Sequence, residues 1–126
     1  APRSAWATTR GGTVSRRVLQ FHFPRKDPVR AGNMDLPPSM GACVCFSFQR
    51  AGASELAATG EMVVIQEELM PVIQALRLGD IEVAAIHSYT LGEIPPLKYV
   101  HFWGKGSPEK IATALRAALD QIAVKR

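Results

Sequence analysis

Apolar and polar residues alternate along several short runs of this chain, and runs of that kind build half-buried strands rather than helices. Over residues 14–23 (VSRRVLQFHF), Leu19, Phe21 and Phe23 share one face, Gln20 and His22 take the other, and Pro24 ends the strand. Residues 42–48 (ACVCFSF) alternate again, with Val44, Phe46 and Phe48 on one side. Residues 61–65 (EMVVI), 81–91 (IEVAAIHSYTL) and 97–103 (LKYVHFW) supply three more apolar runs of strand length. Residues 24–41 carry four prolines and two glycines and read as a long loop. Residues 49–60 read as a turn region, and Gly92, Pro95 and Pro96 mark the link between the last two strands.

Two stretches change to helical spacing. Leu69, Val72, Ile73 and Leu76 recur at i, i+3, i+4 and i+7, which predicts a helix over 67–78 with Glu67 and Glu68 in its first turn and Gly79 after its end. Pro71 fits that helix only in its first turn or so, where a missing N–H costs little. Ser107, Pro108 and Glu109 form a helix start, and Ile111, Leu115, Ala118, Leu119 and Ile122 continue as one apolar stripe over 108–123. The order β-β-β-α-β-β-α predicts an α+β domain: a largely antiparallel sheet of about five strands with both helices on one face.

At 126 residues, 47% hydrophobic and 21% charged, the chain has the makings of one domain with its own core. This composition excludes a disordered chain, a collagen and a coiled coil. No apolar run nears the roughly 18 residues of a membrane helix, and no signal-peptide pattern opens the chain. Residues 1–13 (APRSAWATTRGGT) read as a flexible lead-in, and 14–126 as the domain. Charge is uneven: Arg3, Arg10, Arg16, Arg17, Arg25, Lys26 and Arg30 face only Asp27 in the first thirty residues. A basic segment can bind nucleic acid, but Trp6 alone interleaves with these arginines, so a solvated tail is the preferred reading and nucleic acid is not an expected partner.

Cys43 and Cys45 lie two apart in a strand, which puts both on one face about 7 Å apart, too far for an unstrained disulfide. Two cysteines alone do not complete a structural zinc site, so they read as free, buried, structural thiols. Gly104-Lys105-Gly106-Ser107 lacks the spacing of a phosphate loop, and no nucleophile elbow occurs. His22 lies in a strand with no partner visible in the sequence.

His87 and His101 fall in consecutive strands. If their link turns around position 94, Tyr89 faces Tyr99, His87 faces His101 and Ala85 faces Trp103. Directly opposed residues share a face with Cβ atoms roughly 4.5–5.5 Å apart, close enough for two imidazoles to share one metal ion or to pass a proton. Glu93, in the link, supplies a third ligand or a general base if the link folds back over the sheet.

The stretch from "GEMVVIQEEL" to "KIATALRAAL", with "FPRKD" at Phe23 to Asp27 and "LPP" at Leu36, resembles the LppY/LpqO-type domain family, a bacterial and archaeal family of unknown function. The resemblance covers roughly residues 14–122. The family pattern is His-x-His, Gly-Glu, Pro, then a His before an aromatic-Gly-x-Gly stretch. Its matches here are His87, Glu93 and His101, with Tyr89 in place of the second His of the first motif. The resemblance therefore implies two imidazoles and one carboxylate around one divalent ion, zinc or iron, as in known zinc and non-haem iron sets. It equally admits an organic, sugar- or peptide-like ligand held by Tyr89 and Trp103. Family members are often predicted lipoproteins or secreted proteins, many with two copies of the domain, which suggests an extracytoplasmic setting. This chain has room for one copy and no lipobox cysteine at its start. The expected function is a small metal- or ligand-binding domain centred on the His pair, with catalysis left open. The competing reading is a non-catalytic interaction module with structural histidines.

Overall fold

The computed structural model describes residues 13–125. The expected lead-in at 1–13 lies outside them, apart from Thr13. Among the described residues, eight strands and two α-helices follow in chain order, with a short 3-10 turn at Pro38–Met40. These are β1 (Thr13–Ser15), β2 (Val18–Pro24), β3 (Arg30–Ala31), β4 (Met34–Asp35), β5 (Cys43–Arg50), β6 (Leu56–Val64), α1 (Gln66–Leu78), β7 (Glu82–Ser88), β8 (Lys98–Gly106) and α2 (Pro108–Leu119). The main sheet is antiparallel, in the order β1-β2-β5-β6-β8-β7. The expected α+β class and element order hold. The sheet has five long or medium strands and the short β1 at its edge.

The period-two alternation decides the core. Phe21 and Phe23 of β2, Val44, Phe46 and Phe48 of β5, Met62 and Val64 of β6, and Val100 and Phe102 of β8 are buried on one face. Val72 and Leu76 of α1, and Ile111, Leu115 and Leu119 of α2, pack into the same cluster, so both helices cover that face. Phe46 sits at the centre, with edge-on ring contacts to Phe23, Phe48 and Phe102 at centroid distances of 5.8, 6.4 and 5.5 Å. The helices approach closely at Gly79, where an added Cβ would collide with that of Ala114.

Three local expectations change. Residues 14–23 are not one strand but a hairpin. Arg16 and Arg17 form its turn with φ of 49° and 68°, a left-handed pair that no Gly or Asn announces in the sequence. The strand expected at 61–65 begins at Leu56, so the turn region shrinks to residues 51–55. In α1, Pro71 lies in the second turn rather than the first. The helical bond it cannot make would go to the carbonyl of Glu67, an exposed residue whose carbonyl water can serve.

Arg25 carries no arm-like role. Its side chain is 1% exposed, and it donates from Nη1 to Glu68 Oε1 at 2.7 Å, from Nη2 to Glu68 Oε2 at 3.2 Å and from Nη1 to the Val63 carbonyl at 3.1 Å. Glu68 also accepts from the backbone N–H of Ile65 at the start of α1 and of Ala123 beyond α2. This clamp ties the end of β2 to both helices. Arg30 pairs with Asp35 across the β3–β4 hairpin at 2.7 Å. Much of the basic excess of the first thirty residues is thus part of the folded body.

The long loop at 24–41 folds back under the sheet. Val29, Ala42, Val63 and Leu97 make a second, smaller core on the face away from the helices, with Leu36, Ile65, Tyr89 and Tyr99 around it. This core covers one end of that face. The rest of the face stays open, and it carries the candidate site.

Candidate functional site

The residues left out of the main core line up across the open face. Strand pairing sets His22 of β2 opposite Cys45 of β5, Cys45 opposite Glu61 of β6, and Glu61 opposite His101 of β8. One step along the strands, Cys43, Tyr99 and His87 occupy the same face, with Tyr99 opposite both Val63 and His87. Five strands thus deliver three histidines, two cysteines and a carboxylate to one surface.

His87 and His101 are brought together, though not by the expected pairing. His87 lies opposite Tyr99 and Ala85 opposite His101. The link closes one residue earlier than expected: the Tyr89 N–H bonds the Leu97 carbonyl at 3.1 Å, which centres the turn on Glu93. A displacement of two along the partner strand keeps side chains on the same face. The imidazoles then meet diagonally, with Nε2 atoms 2.8 Å apart and ring centroids 4.9 Å apart. His87 Nδ1 lies 2.8 Å from the Ser88 carbonyl. A carbonyl only accepts, so Nδ1 carries the proton and, in the neutral ring, Nε2 of His87 accepts from Nε2–H of His101. Tyr99 extends the row, 5.1 Å from His87 and 5.7 Å from His101 between centroids.

Glu93 does not join them. It is 4% exposed, and its carboxylate accepts from the Thr90 N–H at 3.1 Å, from the Thr90 hydroxyl and from the Leu97 N–H at 2.8 Å. Burial works against its charge, but these donors outweigh it and hold the carboxyl below the usual carboxylate range. Its work is to staple the 90–97 link, and that link is bonded through Ile94 to Arg30 of β3. Tyr89 donates its hydroxyl to the Met40 carbonyl at 2.6 Å, and Tyr99 donates to the Gly41 carbonyl at 2.9 Å. Both tyrosines are struts under the returning loop. Gly41 meets them with φ of 99° and only 2.8 Å between Tyr99 Oη and an added Cβ, so glycine is required there. Trp103 is 45% exposed and opposite Thr59, at the far end of the row from Tyr89. A cavity of about 830 Å³ lies elsewhere, between α1 and α2 on the other side of the sheet, lined by Pro71, Leu78, Lys110 and Ala117.

Among the described residues, the group of three ligand-type side chains with donor atoms all within 4.8 Å of one another is His22, Cys43 and Cys45. This group could hold a metal ion. The cysteines are free, as expected, but they are not merely packing: their sulfurs lean together to 3.2 Å, and Cys45 Sγ lies 3.2 Å from His22 Nδ1. The hydrogen bond with Cys45 brings the Cys43 thiol down to about 6 against the opposing effect of burial, with His22 adding to the drop. The same bond and burial push the Cys45 thiol up, and the nearby Cys43 and Glu61 charges push it further. Burial raises the Tyr99 hydroxyl, and Glu61 raises it again. The carboxylate therefore acts on the thiols and on the aromatic row at once. The pattern missed in the sequence was His22 against Cys-x-Cys. Each half was visible as alternation, but their pairing spans the long loop.

The fold and this face define a single α+β domain with a His- and Cys-bearing open sheet surface. The chain belongs to an uncharacterised domain family: the family model described as Domain of Unknown Function (DUF1259) matches residues 4–121. No curated protein and no solved structure matches the chain. Among the described residues, no helix is long and apolar enough to cross a membrane.

Proposed function

We propose that this is a metal-binding domain in which His87 and His101 hold one divalent ion on the open sheet face. The observation that carries the reading is the pair of Nε2 atoms at 2.8 Å, with His87 already oriented through its other nitrogen. Metal-bound histidines commonly donate that second N–H to a carbonyl or carboxylate, which sets the tautomer the metal needs. With Zn–N bonds near 2.0–2.1 Å, two ligands on a tetrahedral ion stand about 3.3 Å apart, so binding opens the pair by roughly half an ångström. His101 must move its proton from Nε2 to Nδ1 for this. The two-imidazole set suits zinc or non-haem iron, with remaining positions taken by water or by an organic ligand. The carboxylate that the family pattern assigns to Glu93 joins the ion only if the 90–97 link gives up its staple. An organic ligand lying along the row would have Tyr89 and Trp103 at its two ends. The finer assignment to the LppY/LpqO-type group, and with it an extracytoplasmic setting, rests on the resemblance of the "HFWGKG" and "FPRKD" stretches.

A second reading, an interaction module, draws on β7. It is an edge strand whose residues are nearly all exposed, with Ile86 among them and Leu91 and Ile94 exposed in the link beyond. Elemental analysis of tag-free protein, followed by calorimetric titration with zinc and ferrous iron, separates the two. The metal reading expects one ion lost on His87→Ala or His101→Ala. No uptake, or uptake indifferent to both substitutions, leaves the interaction module.

A further inference from the structure

We infer that His22, Cys43 and Cys45 form a second metal site, a thiolate-rich one for zinc with an open fourth position. It is separate from the His87–His101 pair and does not depend on it. The chain builds it from two neighbouring strands. Cys-x-Cys on β5 puts both sulfurs on one face, and the β2–β5 register sets His22 directly opposite Cys45. The loop between these strands is anchored by the Arg25–Glu68 clamp and by the two tyrosine hydroxyls, so the register is held at both ends of the return.

The spacing distinguishes between thiophilic ions. Zn–S bonds near 2.3 Å and Zn–N bonds near 2.0–2.1 Å put sulfurs about 3.8 Å apart, and sulfur and nitrogen about 3.6 Å apart, on a tetrahedral ion. The observed separations are 3.2 Å for Cys43–Cys45 and for Cys45–His22, and the third pair, Cys43–His22, lies within 4.8 Å. The two short contacts open by roughly 0.4–0.6 Å to reach tetrahedral spacing. A linear two-coordinate ion such as cuprous copper needs its sulfurs about 4.6 Å apart at a similar bond length, a much larger rearrangement. Two thiolates and an imidazole are also a donor set of open, catalytic-type zinc sites, where the fourth position takes water or substrate. Here that position faces outward, since His22 is exposed and Cys45 half-buried. Glu61, in register beside Cys45 and outside the three-donor cluster, offers a carboxylate to a water held there.

Cobalt(II) tests the site, because thiolate ligation gives it a charge-transfer band in the near ultraviolet that imidazole and carboxylate ligation do not. Tag-free protein with both thiols counted as reduced is titrated with cobalt, then with zinc. The expected result is a saturable band with one equivalent, displaced by zinc. It should be lost in Cys45→Ser, and in His22→Ala it should be weakened by at least the roughly 10–100-fold that loss of even an outer-shell partner costs. It should persist in His101→Ala, which removes the other site. Cys43 is buried and its replacement endangers the fold, so the exposed His22 and the half-buried Cys45 carry the test, with circular dichroism confirming folded variants. No band in the reduced protein, a band that survives Cys45→Ser, or one indifferent to His22→Ala overturns the site. Loss of the band only in His101→Ala would mean that the thiols belong to a different centre, and overturns it as well.

Discussion

Replacing Glu68 by Ala strands a buried cation, and the structure sets the size of the effect. The Arg25 side chain is 1% exposed, and Glu68 takes two of its donors. The same carboxylate satisfies the N–H groups of Ile65 and Ala123. Removing it leaves two backbone donors without their acceptor, and leaves the buried Arg25 charge to the Val63 carbonyl and the exposed Asp27 carboxylate at 3.6 Å. Breaking a buried pair from one side costs about 3–5 kcal/mol. Arg25→Met should cost less, about 1–3 kcal/mol, because Glu68 keeps its two backbone donors. The double variant Arg25→Met/Glu68→Met should therefore be more stable than Glu68→Ala alone. Urea unfolding followed by circular dichroism reads all three, at about pH 7. A pH arm checks the sign. Burial opposes the Glu68 charge, but the Arg25 guanidinium and the two backbone donors prevail and hold its carboxyl below its ordinary 4.5. A carboxyl lowered on folding contributes stability that is present above 4.5 and is lost as pH falls through the lower, folded value. The gap between the native protein and Glu68→Gln should thus narrow on acidification below about 4.5. A Glu68→Ala cost under about 1 kcal/mol, or a gap that widens in acid, would refute the clamp.

Leu115 is fully buried between α2 and the sheet, so Leu115→Ala should cost about 2–5 kcal/mol in the same assay, and a cost below roughly 0.5 would exclude it from the core. Gly41→Ala forces a side chain into a left-handed backbone against the Tyr99 hydroxyl and should destabilise by about 1–3 kcal/mol, with faster amide exchange in the returning loop. Divalent metal at the His87–His101 pair should bind more weakly at about pH 5.5 than at about pH 7.5, since protons compete for the imidazole nitrogens, while His22→Ala leaves this competition unchanged. Tyr89→His restores the family's His-x-His at the cost of the strut to Met40. It should tighten metal binding in calorimetry while loosening residues 38–41 in hydrogen exchange, and tightening without loosening would show that the strut is idle.

Local pattern carried the fold class and much of the site. Alternation in VLQFHFP and CVCFSF assigned Phe21, Phe23, Phe46 and Phe48 to the core and sent His22, Cys43 and Cys45 to the other face. Ser107 and Pro108 marked the start of α2, where Ser107 accepts from the Lys110 N–H at 3.3 Å. The parity of residues 87 and 101 was enough to place both imidazoles on one face, even with the pairing displaced by two. Such features depend on neighbours a few residues away, and the backbone periods of 2 and 3.6 convert them directly into faces. What tertiary structure alone decided is which strands become neighbours and where their register stops. The hairpin turn at Arg16–Arg17, the closure of the last link on Glu93 and the meeting of His22 with Cys45 depend on contacts that the local pattern does not specify. The same holds for chemistry that looks alike in one dimension. Glu93 and Glu61 are both single acids near a histidine strand, yet burial under Thr90 and Leu97 turns one into a staple, while the middle of the sheet sets the other between the thiols and His101. A side chain's periodicity tells which way it points, but its chemistry is set by the groups that the rest of the chain brings within a few ångströms of it.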